Sequence, residues 1–170
     1  MSFDEASAKL TIKSLDGGPV VEAQYNPKEL QVDKSIPWSK KNQANQSNEK
    51  GIHLEFTGAE GRSMSVELLF DSYEKGGGSH TKTFKAVEQK IADLEQLASV
   101  IDSESTDENK RRPHRCLVLW GTAMPTFRCV IESLSTKYTM IDTDGTPLRA
   151  TCTVKLKEAD VVSAAKGGGK

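Results

Sequence analysis

The chain has 170 residues, with 23 Lys and Arg against 24 Asp and Glu and a formal net charge of −1. That length suffices for one domain with a substantial core, and the near-neutral balance gives no electrostatic reason to expect nucleic acid or an anionic membrane as a partner. No apolar run approaches the ~20 residues that span a bilayer, so direct membrane insertion is not expected.

Residues 1–7, which include Met-Ser-Phe-Asp-Glu-Ala, lack the basic segment and apolar stretch of a signal peptide. Cytoplasmic synthesis and assembly are therefore expected. From Ala8 to Leu15 the chain alternates, with Leu10 and Ile12 on one face; Asp16-Gly17-Gly18-Pro19 is a turn signal, and Val20 to Tyr25 returns as a strand. Residues 8–25 are thus expected to form a first hairpin. Asn26-Pro27 breaks it, because proline donates no backbone hydrogen bond. Leu30, Val32 and Ser35-Ile36-Pro37-Trp38 suggest a short extended piece. Ser39 to Gly51 holds Lys40, Lys41, Asn45 and Lys50 and a single alanine as its apolar content. It cannot offset its own ordering entropy by burial. It is expected to be a long polar loop, either solvated or ordered against a neighbouring subunit.

Ile52, Leu54 and Phe56 alternate with polar residues, as do Met64, Val66, Leu68 and Phe70, so a second hairpin is expected over residues 52–72. Three glycines follow at 76–78, without the G-x-x-x-x-G-K-[ST] pattern of a phosphate loop. Thr81 to Ile101 predicts one helix: Phe84, Val87, Ile91, Leu94, Ala98 and Ile101 make a single apolar stripe, fit to pack on a sheet. Residues 102–115 switch from acidic to basic, ending Lys110-Arg111-Arg112-Pro113-His114-Arg115, a loop able to meet an anion or simply water.

The final third carries the clearest pattern. Cys116 to Trp120 is a short apolar strand closed by Gly121; Thr126 to Ile141 is one long β-type run. Leu148, Ala150, Cys152, Val154 and Leu156 share one face of the last strand. Asp144-Gly145 between the two runs predicts a type I′ hairpin turn with positive φ at both residues. Mean strands are about 5–6 residues, and the long run would span roughly 40–50 Å at about 3.3 Å per residue. A strand of that length outruns a small core, so part of it should project and join subunits. The three cysteines lie in predicted strands and do not form a disulfide pattern. The chain is expected to be a single β domain over 1–160 with a Gly/Lys tail over 161–170.

No catalytic, cofactor or metal constellation emerges. The three histidines are scattered, no G-x-S-x-G is present, and Asp142-Thr143-Asp144-Gly145 departs from a calcium loop at its sixth and twelfth positions. Trp38, Trp120 and Tyr138 could make a stacking platform for a glycan, although packing is the commoner use of such rings.

Several stretches, in order, resemble a known family: Tyr25-Asn26-Pro27-Lys28-Glu29-Leu30, Leu54-Glu55-Phe56-Thr57-Gly58, Val66-Glu67-Leu68-Leu69-Phe70-Asp71, Arg112-Pro113, Leu119-Trp120-Gly121 and Asp144-Gly145-Thr146-Pro147-Leu148-Arg149-Ala150. The set is similar to the tube-like N-terminal domain of contractile injection system proteins, found in the baseplate hub adaptor of phage-tail-like particles. The resemblance implies a mainly β (α+β) fold: an antiparallel β-barrel or sandwich with one flanking helix and a long C-terminal hairpin. It implies a non-enzymatic, structural protein that forms a hexameric homo-oligomer, with the spike protein, the inner tube protein and other baseplate proteins as partners. The hub adaptor is the expected place, the inner tube proper the alternative. Family members often carry a LysM domain after this one; the chain stops at Lys170, so none is expected here. On this reading Tyr25, Asn26, Pro27, Trp38, Lys40, Lys41, Asn45, Lys50, Trp120, Gly121, Asp144, Gly145 and Arg149 are the candidate interface and structural residues.

Overall fold

Strict alternation of apolar and polar residues commits a strand to burying one face, and three long strands do this side by side. In a computed structural model, which describes residues 8–40, 53–72 and 85–162, β6 (Ser63–Asp71), β8 (Phe127–Ile141) and β9 (Pro147–Glu158) form the centre of the sheet. β9 lies between the other two, antiparallel to both, in register from Ser63↔Lys157 to Asp71↔Arg149 and from Cys129↔Glu158 to Ile141↔Pro147. β7 (Cys116–Leu119), β1 (Thr11–Ser14) and β2 (Val20–Glu22) continue beyond β8, and β3 (Gln31–Asp33) lies beside β6, giving the order β2-β1-β7-β8-β9-β6-β3. The expected first hairpin is present as the β1–β2 pair.

The core is made by the faces the sequence pattern marked. Met64, Val66, Leu68 and Phe70 from β6 and Ala150, Cys152, Val154 and Leu156 from β9 are buried, joined by Leu10, Ile12, Val21, Val118, Phe127 and Ile131. Helix α1 (Lys85–Ala98) closes the same side, packing on β2, β6, β8 and β9. Val87, Ile91 and Leu94 are buried as the stripe predicts, and so is Leu97. Each such side chain contributes roughly 1.5–3 kcal/mol of burial. The helix ends at Ala98, before Ile101, and Phe84 lies outside the described residues.

The sheet curls without closing into a barrel, since its end strands β2 and β3 are not paired with each other. A side chain bridges part of the gap: Gln24 Nε2 donates to the Asp71 carbonyl (2.7 Å) and its Oε1 accepts from the Asp71 N–H (2.8 Å). Near the middle of β8 the register shifts between Ile131 and Ser133. The extra residue of this bulge turns Leu134 towards the core, against which it is partly buried.

Two expectations need correcting. Leu54–Phe56 (β5) does not pair with β6; it pairs with β4 (Trp38–Lys40) in a separate two-stranded ribbon, so the expected 52–72 hairpin is not formed. Ser39 and Lys40 consequently belong to a strand rather than to the polar loop. The 142–146 turn is also not type I′: among the described residues only glycines have positive φ, so Asp144 does not. Gly145 N–H donates to the Asp142 carbonyl (2.9 Å) and Asp142 N–H to the Thr146 carbonyl (2.8 Å), with Gly145 at φ +87°. This is a three-residue loop ended by a left-handed glycine.

Space around Gly145 is open, so a larger residue there meets only backbone strain. Gly145→Val should destabilise the protein by about 1–3 kcal/mol, read as a lower midpoint in denaturant; an unchanged midpoint would refute the turn geometry.

Candidate functional site

Long strands flanked by short ones leave backbone groups without partners. β7 reaches β8 only at Phe127–Cys129. From Val130 to Ile141 that side of β8 has no strand beside it among the described residues. On the opposite flank β3 pairs with Ser63–Ser65 of β6, and among the described residues no strand lies beside Val66–Phe70 on that side. Such edges present N–H and C=O groups ready to pair with another chain.

A second feature leaves the sheet at the end where Asp33 faces Ser63. There β4 and β5 continue the β3–β6 pair outwards as a ribbon, with residues 41–53 between them. Trp38 sits opposite Phe56, their rings 5.5 Å apart and tilted by 59°. Trp38 is 56% exposed, Phe56 53%, Leu54 49% and Ile36 52%. By register and strand alternation Trp38, Phe56 and Leu54 share one face. The acidic turn of the β8–β9 hairpin lies at the opposite end of the three-strand centre.

A buried charge cluster ties the loops down. The Asp16 carboxylate accepts from Arg112 Nη1 (2.9 Å) and, from Arg115, the main-chain N–H (2.7 Å), Nε (3.1 Å) and Nη2 (2.7 Å). The side chains of Asp16 and Arg112 are 10% and 7% exposed. Burial pushes the Asp16 carboxyl up, but the hydrogen bonds from Arg112 and Arg115 outweigh it and hold the group well below the usual carboxylate range. His114 is buried beside them, its Nδ1 2.8 Å from Ser14 Oγ. Burial pushes its pKa down, Asp16 opposing and Arg112 assisting. Gly18 makes room for it, since a Cβ there would fall 2.5 Å from His114 Cε1. Ser14 beside a histidine invites a nucleophile–base reading. The carboxylate that would orient the histidine is committed to two arginines, and the Ser14 hydroxyl also accepts from the Asp16 N–H (3.0 Å); the geometry is that of a structural clamp. Two further pairs bind the sheet: Arg149 to Asp71 (2.6 Å), and Arg62 to Glu158 (2.7 Å). Hydrogen bonds from Arg62 hold Glu158 at about 2.

The candidate residues from the sequence separate into groups. Arg149 is clamped to Asp71. Asn26 bridges the Leu10 N–H and the Ala8 carbonyl, and Trp120 Nε1 donates to the same carbonyl (3.2 Å). Tyr25 is exposed and Pro27 half-buried beside this knot; Gly121 follows Trp120 in an exposed turn. Asp144 and Gly145 form the hairpin turn, with Asp144 Oδ1 accepting from Thr146 N–H (2.9 Å). Trp38 and Lys40 belong to the exposed ribbon. Lys41, Asn45 and Lys50 lie outside the described residues. Trp38 is on β4, Trp120 just after β7 and Tyr138 on β8, and the one aromatic ring pair among the described residues is Trp38–Phe56. Cys116 and Cys129, opposite each other on β7 and β8, are buried thiols pushed up to about 12 by burial. Among the described residues no cluster of His, Cys, Asp and Glu is placed to hold a metal, and no helix is long and apolar enough to cross a membrane. Sequence reasoning missed Asp16, Gln24, Asp71 and the uncovered edges; only the basic run 110–115 hinted at the clamp.

A family model described as contractile injection system tube protein matches residues 4–166. No curated protein matches the chain.

Asp16→Asn leaves the buried Arg112 charge without its partner and should cost about 3–5 kcal/mol, measured by denaturant unfolding. The pH dependence should have two stages. Because the folded His114 is held below its ordinary value, the unfolded chain protonates first as pH falls below about 6.5, and stability declines there. Asp16 is also depressed in the folded state, so its contribution is complete above the ordinary carboxylate range and is lost as pH falls through and below it. His114→Gln should remove the first stage and keep the second; an unaltered profile would contradict the assignment.

Proposed function

The chain belongs to the contractile injection system tube protein family, and from that membership we propose that it is a structural subunit whose copies join edge to edge into a ring around a channel. The observation that carries this is the pair of uncovered edges on the two flanks of the β6–β9–β8 centre. Different surfaces on the two sides of one subunit make a heterologous contact, which closes into a ring when the rotation allows. Six copies, homo-oligomeric, are what the resemblance supports.

Within the machine, the place we propose is the hub adaptor that joins the spike protein to the inner tube, in contact with other baseplate proteins; the support is the likeness to the tube-like domain of such adaptors. An inner tube protein proper would share the same fold. The two places differ in copy number, since an adaptor makes one ring per particle and a tube protein makes many. Particles should be assembled in the cytoplasm. The glycan-platform alternative has less support, because among the described residues no two of its three aromatics form a ring pair.

Electron microscopy of native particles should find this chain in rings, and quantitative mass spectrometry against the spike should return one ring's worth of copies. Many rings per spike would move the chain to the tube; particles lacking it would sink the assembly reading. A second expectation concerns the polar stretch between β4 and β5. Its amides should exchange rapidly in the isolated subunit and be protected in the particle. Replacing residues 41–52 with Gly-Asn-Gly should preserve the fold and weaken ring-to-ring or ring-to-spike attachment. Equal exchange in both states, with normal assembly of the shortened chain, would show a mere connection.

A further inference from the structure

Three free cysteines are buried in this core, and two of them face each other. We propose that Cys116 and Cys129 are a redox-modifiable pair, which a small peroxide joins in a reversible cross-strand disulfide that fastens β7 to β8.

Register places the pair. Cys116 stands directly opposite Cys129 in the antiparallel β7–β8 ladder, and directly opposed side chains point to the same side of a sheet. Both are fully buried members of one core cluster, so that side is the core. The main chain shows which kind of pair this is. Leu15 N–H donates to the Arg115 carbonyl (2.8 Å), which turns Arg115 towards β1. Ala159 N–H donates to the Arg128 carbonyl (3.0 Å), which turns Arg128 towards β9. Main-chain groups alternate in direction along a strand, so those of Cys116 and Cys129 point at each other. Opposed residues of that kind have Cα atoms about 5.5 Å apart, inside the span of roughly 4.4–6.8 Å over which a disulfide closes. Their Cβ atoms, at about 5.5 Å, are wider apart than the roughly 3.5–4.5 Å of a relaxed disulfide. Closing therefore twists the ladder, and a bond made under strain is more easily reduced. That suits a switch better than a permanent staple. Cys152 is no rival: it stands opposite Thr136, seven residues along β8 from Cys129, or roughly 20 Å away at about 3.3 Å per residue.

The surroundings keep the pair reduced until an oxidant is present. Burial pushes both thiols up to about 12, and the thiolate is the reacting form. Oxidation is therefore slow and waits on local opening. Three residue pairs join β7 to β8, and Cys116↔Cys129 is the last of them, at the end away from the exposed 121–126 loop. The end of a short ladder opens more readily than the core as a whole. The chemistry is a two-electron oxidation. One thiolate attacks hydrogen peroxide, giving a sulfenic acid and releasing hydroxide; the second thiolate attacks that sulfur, forms the S–S bond and releases a second hydroxide. The two thiol protons convert both hydroxides to water, so two thiols and one peroxide give one disulfide and two waters. Among the described strands, β2, β1 and β7 are joined to the β8–β9–β6 centre by those three pairs. The Asp16 clamp holds Arg115 to the first hairpin; the disulfide, one residue on, would hold the same strand to β8. One subunit suffices for this, whether or not copies join.

Hydrogen peroxide applied to the purified full-length chain tests the pair. After treatment of the folded protein, unfolding in excess N-ethylmaleimide and digestion without reductant, mass spectrometry should find Cys152 alkylated and a peptide linking residues 116 and 129. Dithiothreitol should return all three cysteines to the alkylated form. The oxidised chain should have a higher denaturant midpoint than the reduced one, and neither Cys116→Ala nor Cys129→Ala should show that rise. The linked peptide is read on the wild type, so it decides even where a variant fails to fold. Three alkylated cysteines after a treatment that fully oxidises free glutathione would overturn the proposal. So would sulfinic acid at either position without a link, links to Cys152 as frequent as the 116–129 link, or a link that lowers the midpoint.

Discussion

Everything in this fold follows from strands that are longer than the core they build. β8 has 15 residues, yet its buried ones, Phe127, Cys129 and Ile131, are all in its first third. Beyond the bulge the strand leaves the β7 flank behind, and among the described residues β9 is the one strand paired with it. β6 and β9 accompany it to the Asp71–Arg149 level, where an ion pair and the Gln24 amide finish the sheet. A monomer that ended its life as a monomer would gain little from this arrangement. The extra length exposes Tyr138, Met140 and Ile141 and leaves backbone donors and acceptors to water. The same length is useful when other copies supply the missing partners.

The Asp16 cluster solves a different problem. The first hairpin and the segment from the helix to β7 are distant in sequence, and each brings charge or polarity to the back of the core. One carboxylate receiving two guanidiniums and a main-chain N–H fixes the 14–19 turn on the 112–115 segment. Buried ion pairs of this kind contribute little net stability against an apolar replacement, but removing one partner is severe. They therefore specify geometry: the β1–β7 register, Ser14↔Cys116 to Thr11↔Leu119, starts directly beside the clamp.

What the sequence made legible was whatever is encoded locally. Alternation in β6 and β9, the helical stripe through Val87, Ile91 and Leu94, and the glycine turn at 145 each depend on neighbours a few residues away. Pairing is not local. Leu54-Glu55-Phe56 looks like a core strand, and three residues carry too little information to say whether the partner is β6 or Trp38–Lys40. The turn type failed for a related reason: Asp-Gly suits type I′, but the Asp142 N–H to Thr146 carbonyl bond makes a three-residue loop in which Asp144 keeps negative φ. The clamp joins residues 96 and 99 positions apart, which no spacing rule reaches. Of the candidate residues, Trp38 is exposed and Gly145 holds a positive-φ turn position, both marked by local chemistry, whereas the open edges are a property of what is not beside a strand.

Open edges are hazards, and the chain qualifies each of its own. On β8 the bulge after Ile131 breaks the flat ladder, and Glu132 and Lys137 add charge along the exposed stretch; bulges and charged residues are recognised ways of discouraging indiscriminate pairing. On the other flank β3 is three residues long and carries Asp33, with Lys34 following. The β4–β5 ribbon is the exception. Two strands alone are marginal in water, and here they present Trp38, Leu54 and Phe56 together on one face. A ribbon that hydrophobic, joined by the chain to β3 and β6, gains stability from being covered, whereas the β8 edge carries features that discourage indiscriminate pairing. The subunit thus separates its two demands: a guarded edge on the sheet, where register must be right, and an apolar arm at one end, where burial alone supplies the driving force.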